Sequence, residues 1–106
     1  MEVKGTSLTM TRGDSESIAV TLTGYTAAAG DCIEMTARDL SGKIVLYKKV
    51  DSFVENRAVI DILPDDTKGL KFGNYEYDIQ LQFGGAVKTI IKPSRLTIGR
   101  EVTYDY

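Results

Sequence analysis

Residues 65–83, DDTKGLKFGNYEYDIQLQF, decide the fold of this chain. In the second half of this stretch apolar residues alternate with polar ones, which places one apolar and one polar face on a single long strand. The apolar positions are Tyr75, Tyr77, Ile79, Leu81 and Phe83. The turn-rich residues before them predict a corner that leads into this strand, and Tyr75 is the tyrosine expected to bond back to the backbone of that corner.

The rest of the chain consists of short segments that alternate or are rich in β-branched residues, separated by turn signals. By spacing alone residues 31–40 fit a strand or a helix, and we choose the strand because of its neighbours. Residues 64–70 are too few for an ordinary helix, so we expect one helical turn capped by Asp65 or Asp66. The predicted strands lie at 8–10, 17–23, 31–40, 44–50, 57–63, 74–83 and 87–92, with Leu96 and Ile98 continuing as an edge or bulged segment after Pro93.

This pattern predicts an all-β, immunoglobulin-like antiparallel β-sandwich of about seven to eight strands, with one short helical turn near 64–70. Gly84-Gly85 is the expected hairpin turn of the long strand. Residues 26–30 are expected to form a loose, mobile loop. At 106 residues the chain is long enough for one domain, which we assign to 1–106.

Composition narrows the function classes. The net charge of -2 lacks the basic excess on which phosphate-backbone binding depends, so nucleic acid is not an expected partner. The lone Cys32 cannot form an internal disulfide, which favours synthesis in a reducing cytoplasm. No apolar run resembles a signal peptide or a membrane span, so we expect neither secretion by a signal peptide nor a membrane partner.

Residues suited to catalysis are scarce. The chain has no histidine, which removes the usual general base and the commonest metal ligand. Cys32 is expected to be a core or edge residue rather than a nucleophile. Asp61, Asp65 and Asp66 could together hold Ca²⁺ if they met at the turn, but helix capping and solvation explain them better. We therefore predict no enzyme activity, no catalytic or metal-binding residue and no cofactor.

Two further features point to turns and contacts. Arg12-Gly13-Asp14 matches a tripeptide found in many integrin ligands, yet a tight turn between the first two strands explains it better. Tyr104 and Tyr106 belong to the segment after the last predicted strand, and tyrosine supplies large contact area at low entropy cost. We therefore expect this segment to be an exposed docking element.

Four segments resemble small β-sandwich domains of tailed bacteriophages and prophages: LTMTRGDSESIAVTL (8–22), DCIEMTARDLSGKIV (31–45), ILPDDTKGLKFGNYEYDIQL (62–81) and LTIGREVTYDY (96–106). In those domains an Arg-Gly-Asp turn precedes the second strand, and a Gly-x-Tyr-x-Tyr strand follows an Asp-Thr turn. This chain departs from them at residues 92–95, Lys-Pro-Ser-Arg, where a glycine is expected. The matching positions are Arg12, Gly13, Asp14, Asp66, Thr67, Gly73, Tyr75, Tyr77, Leu96, Ile98, Val102 and Thr103.

The resemblance implies a non-enzymatic structural or assembly module of a phage or prophage particle, such as a baseplate or tail-fibre protein. It implies synthesis in the bacterial cytoplasm and contacts with other virion proteins or with further copies of the chain. An exposed strand edge near Pro93 and the segment after it are the expected attachment points, with Arg95, Val102, Tyr104 and Tyr106 as interface residues. The alternative is a bacterial carbohydrate- or cell-surface-binding immunoglobulin-like module using Tyr25 or Tyr47, against which the absence of tryptophan counts.

Overall fold

The computed structural model describes residues 2–4 and 7–100, and the elements in these ranges follow the predicted alternation closely. Residues 31–40 contain a strand rather than a helix, as chosen from their neighbours. The elements are β1 (Glu2–Lys4), β2 (Ser7–Thr11), β3 (Glu16–Thr21), β4 (Cys32–Arg38), β5 (Ile44–Val50), β6 (Arg57–Ile62), α1 (Pro64–Lys68), β7 (Gly73–Phe83) and β8 (Ala86–Gly99).

The strands form two sheets, which confirms the predicted all-β sandwich. The larger sheet has the order β1-β2-β8-β7-β4-β5, and β3 pairs with β6 in a two-stranded sheet. The neighbours β4, β7 and β8 and the pair β3–β6 correspond to the C-F-G and B-E groups of an immunoglobulin-like fold. One pair departs from the predicted antiparallel arrangement, because β2 runs parallel to β8 from Leu8↔Leu96 to Thr11↔Gly99. These two strands are far apart in sequence, so no hairpin forces them to be antiparallel.

The last strand was predicted wrongly in one respect. Pro93 interrupts the ladder as expected, since Lys92 and Pro93 have no partner on β7 and the pairing resumes at Ser94. The register shifts twice, between Thr89 and Ile91 and again across Pro93 between Ile91 and Ser94, so the predicted bulge is present. Leu96 and Ile98 are not at an edge: they lie between β2 and β7 and are buried.

The core lies between the two sheets. On β7 the inward positions from Tyr75 to Leu81 are buried, as the alternation predicts. On β6 the buried residues are Ala58, Ile60 and Ile62, which face the larger sheet. Full burial of one such aliphatic side chain contributes about 1.5 to 3 kcal/mol. Cys32 is a buried free cysteine and packs as a small apolar residue.

Helix α1 begins at Pro64, two residues after the end of β6. Asp66, at the third helical position, accepts a hydrogen bond at 2.7 Å from the Leu63 N–H through its carboxylate. The cap is therefore made by Asp66 from within the first turn, and Asp65 forms an ion pair with Lys68 at 3.7 Å instead. This five-residue turn is the helical part of the described chain, and it is too short to cross a membrane.

Local residue chemistry accounts for two hairpin turns, of which Gly84-Gly85 is the predicted one. Gly84 and Gly85 both have positive φ angles, 53° and 80°, as a two-residue turn of this hand requires. In the turn between β4 and β5 the Asp39 carboxylate accepts hydrogen bonds from the Ser41 hydroxyl at 2.7 Å and from the Lys43 N–H at 3.0 Å. The bond from Ser41, followed by that from Lys43, lowers the pKa of Asp39.

Residues 26–30 lie in the loop between β3 and β4, as predicted, and side chains outside the segment anchor this loop. The Asn56 side chain accepts a hydrogen bond from the Ala27 N–H at 2.9 Å and donates one to the Tyr25 carbonyl at 3.1 Å. The buried Asp31 carboxylate accepts a bond from the Ala28 N–H at 2.8 Å. Both anchoring side chains lie outside residues 26–30, so the composition of the segment alone does not predict these contacts.

Candidate functional site

The Arg12-Gly13-Asp14 turn is docked against the corner after β6. The Gly13 N–H donates a 2.7 Å hydrogen bond to the Thr67 hydroxyl, which is fully buried in α1. The Arg12 guanidinium donates to the Leu70 carbonyl at 3.3 Å and lies 4.2 Å from the centre of the Phe72 ring. Gly13 has a φ of 82°, a backbone conformation that glycine adopts readily. Through these contacts the tripeptide connects the turn between β2 and β3 to the corner.

The corner itself contains the expected tyrosine bond. The Tyr75 hydroxyl donates a 2.6 Å hydrogen bond to the Lys71 carbonyl, four residues upstream. Gly73 begins β7 with a φ of 137°, which L-residues rarely adopt. The motif residues Asp66, Thr67, Gly73 and Tyr75 thus hold the path from α1 into β7.

Tyr75→Phe is expected to lower the free energy of unfolding by about 1 kcal/mol, because the buried ring stays while the bond to Lys71 is lost. Urea denaturation of the two proteins measures this difference. Tyr47→Phe is the matched control, since Tyr47 is half exposed and water replaces its hydroxyl contact. If Tyr75→Phe lowered the free energy of unfolding no more than this control does, the Tyr75–Lys71 hydrogen bond would not stabilise the fold.

The three acidic residues near this turn do not converge. The Asp61 carboxylate accepts a hydrogen bond from the Ser17 hydroxyl at 2.9 Å on the outer face of the small sheet. Asp65 faces Lys68, and Asp66 forms a 2.7 Å ion pair with Lys48 of β5. Within residues 7–100 no three acidic or cysteine side chains form a group that could hold a metal ion.

Asp66 makes stability dependent on pH. Partial burial by itself raises the pKa of Asp66, but the hydrogen bonds from Lys48 and from the Leu63 N–H outweigh it and lower the pKa. A lower pKa in the folded than in the unfolded state stabilises the fold above the unfolded value, and that stability is lost as the pH falls through the folded value.

We therefore expect the free energy of unfolding to decline below about pH 4, with part of the decline due to Asp66. Asp66→Asn should lose stability at neutral pH and show a shallower decline in urea titrations between pH 7 and 3. Lys48→Met should have a similar but smaller effect, because one of the two bonds to the carboxylate remains. An unchanged slope in Asp66→Asn would contradict this assignment.

The two tyrosines of the predicted carbohydrate surface are in different environments. Tyr47 is 49% exposed on the outer face of the large sheet, and its hydroxyl donates a hydrogen bond to Glu34. Tyr25 is partly buried, packs against Phe83 with the ring centres 5.0 Å apart, and donates to Asp31 at 2.7 Å. The Asp31 bond raises the pKa of Tyr25. Tyr47 is therefore the more exposed ring of this pair.

The first half of β8 is an open sheet edge, which we call the β8 edge and define as residues 86–92. Within the described chain, β2 covers β8 only from Leu96 to Gly99, so residues 86–92 pair with β7 on one side alone. Most of the edge is exposed, including Val87 at 59%. An exposed edge was expected near Pro93, and the open edge lies directly before that residue, whereas β2 covers Leu96 and Ile98 after it.

The β8 edge has a basic character. Strand β8 contains Lys88, Lys92 and Arg95 and no acidic residue, although the chain as a whole has a net charge of -2. Arg95 is exposed and lies opposite Glu76 of β7. The other predicted interface residues, Val102, Tyr104 and Tyr106, lie outside the described residues, as does Thr103 of the motif.

A cavity of about 250 Å³ opens beside this edge, between β8 and the end of β3. Its lining combines Leu22, Leu81 and Ile90 with the ring of Tyr25 and the side chain of Lys88. The sequence did not reveal this cavity, because its walls come from three distant strands and the loop between β3 and β4. Alternation along β3 and β7 identifies their buried residues, but it does not say where the two sheets separate.

A second groove, of about 550 Å³, lies where β5 and β6 diverge. Val50, Val54 and Val59 supply its apolar side chains, and Val54 is among the most exposed apolar residues. The turn beside it places Glu55 and Asn56 at positive φ angles of 52° and 62°.

No protein-family model matches this chain, and no curated protein is significantly similar to it in sequence. The resemblance to phage proteins therefore depends on the motif residues alone, and those within residues 7–100 belong to the corner, the turn docked on it and the core.

Proposed function

We propose that this chain is a non-enzymatic structural or assembly module of a phage or prophage particle, acting through protein–protein contacts. The observation that carries the contact role is the β8 edge, which is long, exposed and uncovered within the described residues. An open edge presents unpaired backbone N–H and C=O groups, to which an extended segment of another protein can add as a new strand. The assignment to a phage or prophage particle rests on the resemblance of the motif residues.

Side chains on this edge favour a selective contact over indiscriminate aggregation. Lys88, Lys92 and the nearby Pro93 are residues that natural proteins place on edge strands to prevent uncontrolled pairing. A partner must therefore offer both an extended backbone and complementary charge. Such selectivity suits a module with a defined place in an assembly.

Mass spectrometry of purified particles tests the proposal. Particles released from a lysogen of the strain that encodes this chain are banded on a density gradient, and their proteins are quantified. We expect peptides of this chain to co-purify with capsid or tail proteins in a constant ratio across the band. Finding the chain only in the unbanded lysate would overturn the particle assignment.

A carbohydrate-binding role has one observation in its favour, the exposed ring of Tyr47 beside the carboxylate of Glu34. Sugars stack on such rings and bond to such carboxylates. Binding on a glycan array that is lost in Tyr47→Ala and kept in Tyr47→Phe would favour this second function. An array without binding by the wild-type protein would remove it.

A further inference from the structure

The β8 edge has a defined hydrogen-bonding pattern. A two-residue hairpin such as Gly84-Gly85 is closed by a pair that exchanges both of its hydrogen bonds, here Phe83↔Ala86. Bonded and non-bonded pairs alternate along an antiparallel ladder. Val87 and Thr89, opposite Gln82 and Gln80, therefore direct their N–H and C=O groups away from β7. An incoming strand finds donors and acceptors at these two residues.

The cavity beside the edge provides room for side chains. It lies next to Lys88, Thr89 and Ile90, so every second residue of a strand paired with the edge points toward it. Its apolar walls, Leu22 and Leu81, favour an apolar or aromatic side chain from that strand.

Charge selects among possible strands. Two copies of the edge pairing with each other in antiparallel fashion bring Lys88 and Lys92 of one copy close to the same residues of the other, and like charges opposite one another destabilise a sheet. The edge is therefore better matched to an extended strand that combines acidic with apolar residues.

Residues 101–106, EVTYDY, have this composition. In an extended strand Val102, Tyr104 and Tyr106 share one face, and Glu101 and Asp105 lie on the other. The segment contains two acidic and no basic residues, and Val, Thr and Tyr favour strands. We propose that the β8 edge binds residues 101–106 of a second copy of this chain, an inference that rests on the proposed assembly function.

The geometry of β8 makes the contact intermolecular. Residues 101–106 follow the end of β8 where β2 already occupies the neighbouring position. From Gly99 back to Ile91 is roughly 26 Å along the strand, at about 3.3 Å per residue. The seven residues from 100 to 106, fully extended, span at most roughly 23 to 25 Å. The segment therefore cannot pair with Val87 and Thr89 of its own chain.

A reciprocal charge reversal tests this pairing in the full-length protein. One variant, Lys88→Glu with Lys92→Glu, has an acidic edge and an acidic 101–106 segment. The other, Glu101→Lys with Asp105→Lys, has a basic edge and a basic segment. Light scattering over a range of concentrations should show self-association of the wild type and its loss in each variant alone. Mixing the two variants should restore the higher mass, because each segment then meets an edge of opposite charge.

A second variant tests the backbone hydrogen bonds of the edge without changing its charged side chains. Thr89→Pro removes an N–H that points away from β7, so the β7–β8 ladder is preserved while the incoming strand loses a donor. We expect loss of self-association with an unchanged circular dichroism spectrum. Thr89→Val keeps the N–H and should associate as the wild type does.

The outcomes distinguish this inference from the function on which it rests. Association that survives both charge reversals, or a mixture that stays monomeric, would overturn the role of residues 101–106. A wild type that is monomeric at every concentration would overturn the contact between copies. In each case detection of the chain in purified particles would leave the assembly function standing with a different partner.

Discussion

Ile60→Ala is expected to lower the free energy of unfolding by about 2 to 5 kcal/mol. The Ile60 side chain is 0% exposed and lies opposite Ile18 in the two-stranded sheet. A two-stranded sheet is marginal by itself, so β3 and β6 depend on the apolar face that they pack against the large sheet. Removing three carbon atoms there leaves a cavity that neighbouring strands cannot easily fill.

Val59→Ala is the matched control, because Val59 precedes Ile60 on the same strand and points outward. It is 41% exposed, so its truncation should change the free energy of unfolding by no more than about 0.5 kcal/mol. Urea denaturation of both variants measures the difference. Similar losses in the two variants would mean that β6 does not present this face to the core.

Strand β6 also illustrates what sequence can predict. Its inward residues, Ala58, Ile60 and Ile62, follow a period of two, and that period depends only on local backbone geometry. The same holds for β7, and the turn glycines Gly84 and Gly85 identify the hairpin because their positive φ angles are a local requirement. Such features are encoded in neighbouring residues, so one sequence is enough.

Pairing between distant strands is not encoded in this way. The parallel pairing of β2 with β8 joins Leu8 to Leu96, and nothing near either residue specifies the direction. For the same reason Pro93 was a poor guide to whether Leu96 and Ile98 lie at an edge. Proline excludes a ladder bond at its own nitrogen, but which strand covers the residues before and after it depends on the whole sheet.

In the candidate site, too, some features can be predicted from neighbouring residues and others depend on the pairing of distant strands. The composition of residues 101–106 indicated a contact segment, and an edge near Pro93 was expected. The position of the open edge at residues 86–92, and the cavity beside it, follow from where β2 stops. The complementary charge on which the proposed pairing depends is apparent in the sequence only once the structure has located the edge.

The loop between β3 and β4 was predicted to be loose because its residues are small and its anchors are distant. Asn56 is one of these anchors, and it also accepts a 2.8 Å hydrogen bond from the Leu22 N–H through its own carbonyl. Its φ of 62° lies in the left-handed region that asparagine tolerates better than most residues. One residue thus supports the turn before β6 and the loop before β4.

Asn56→Ala is expected to lower the free energy of unfolding by about 3 kcal/mol. The two side-chain bonds, to the Ala27 N–H and the Tyr25 carbonyl, contribute about 1 kcal/mol each. The left-handed backbone conformation costs alanine about 1 kcal/mol more. Thermal or urea unfolding measures the total, and hydrogen exchange at Ala27 reports the loop separately.

Asn56→Gly separates the two contributions, because glycine adopts the left-handed conformation but has no side chain to bond the loop. We expect a smaller loss than in Asn56→Ala, with the same loss of exchange protection at the Ala27 N–H. The Ala28 N–H is held by Asp31 and should stay protected in both variants. Equal losses of stability would mean that backbone conformation contributes little, and retained protection at Ala27 would mean that the loop does not depend on Asn56. Loss of protection at both amides would instead make the loop a single cooperative unit, in which the Asn56 bonds are needed to keep Asp31 engaged.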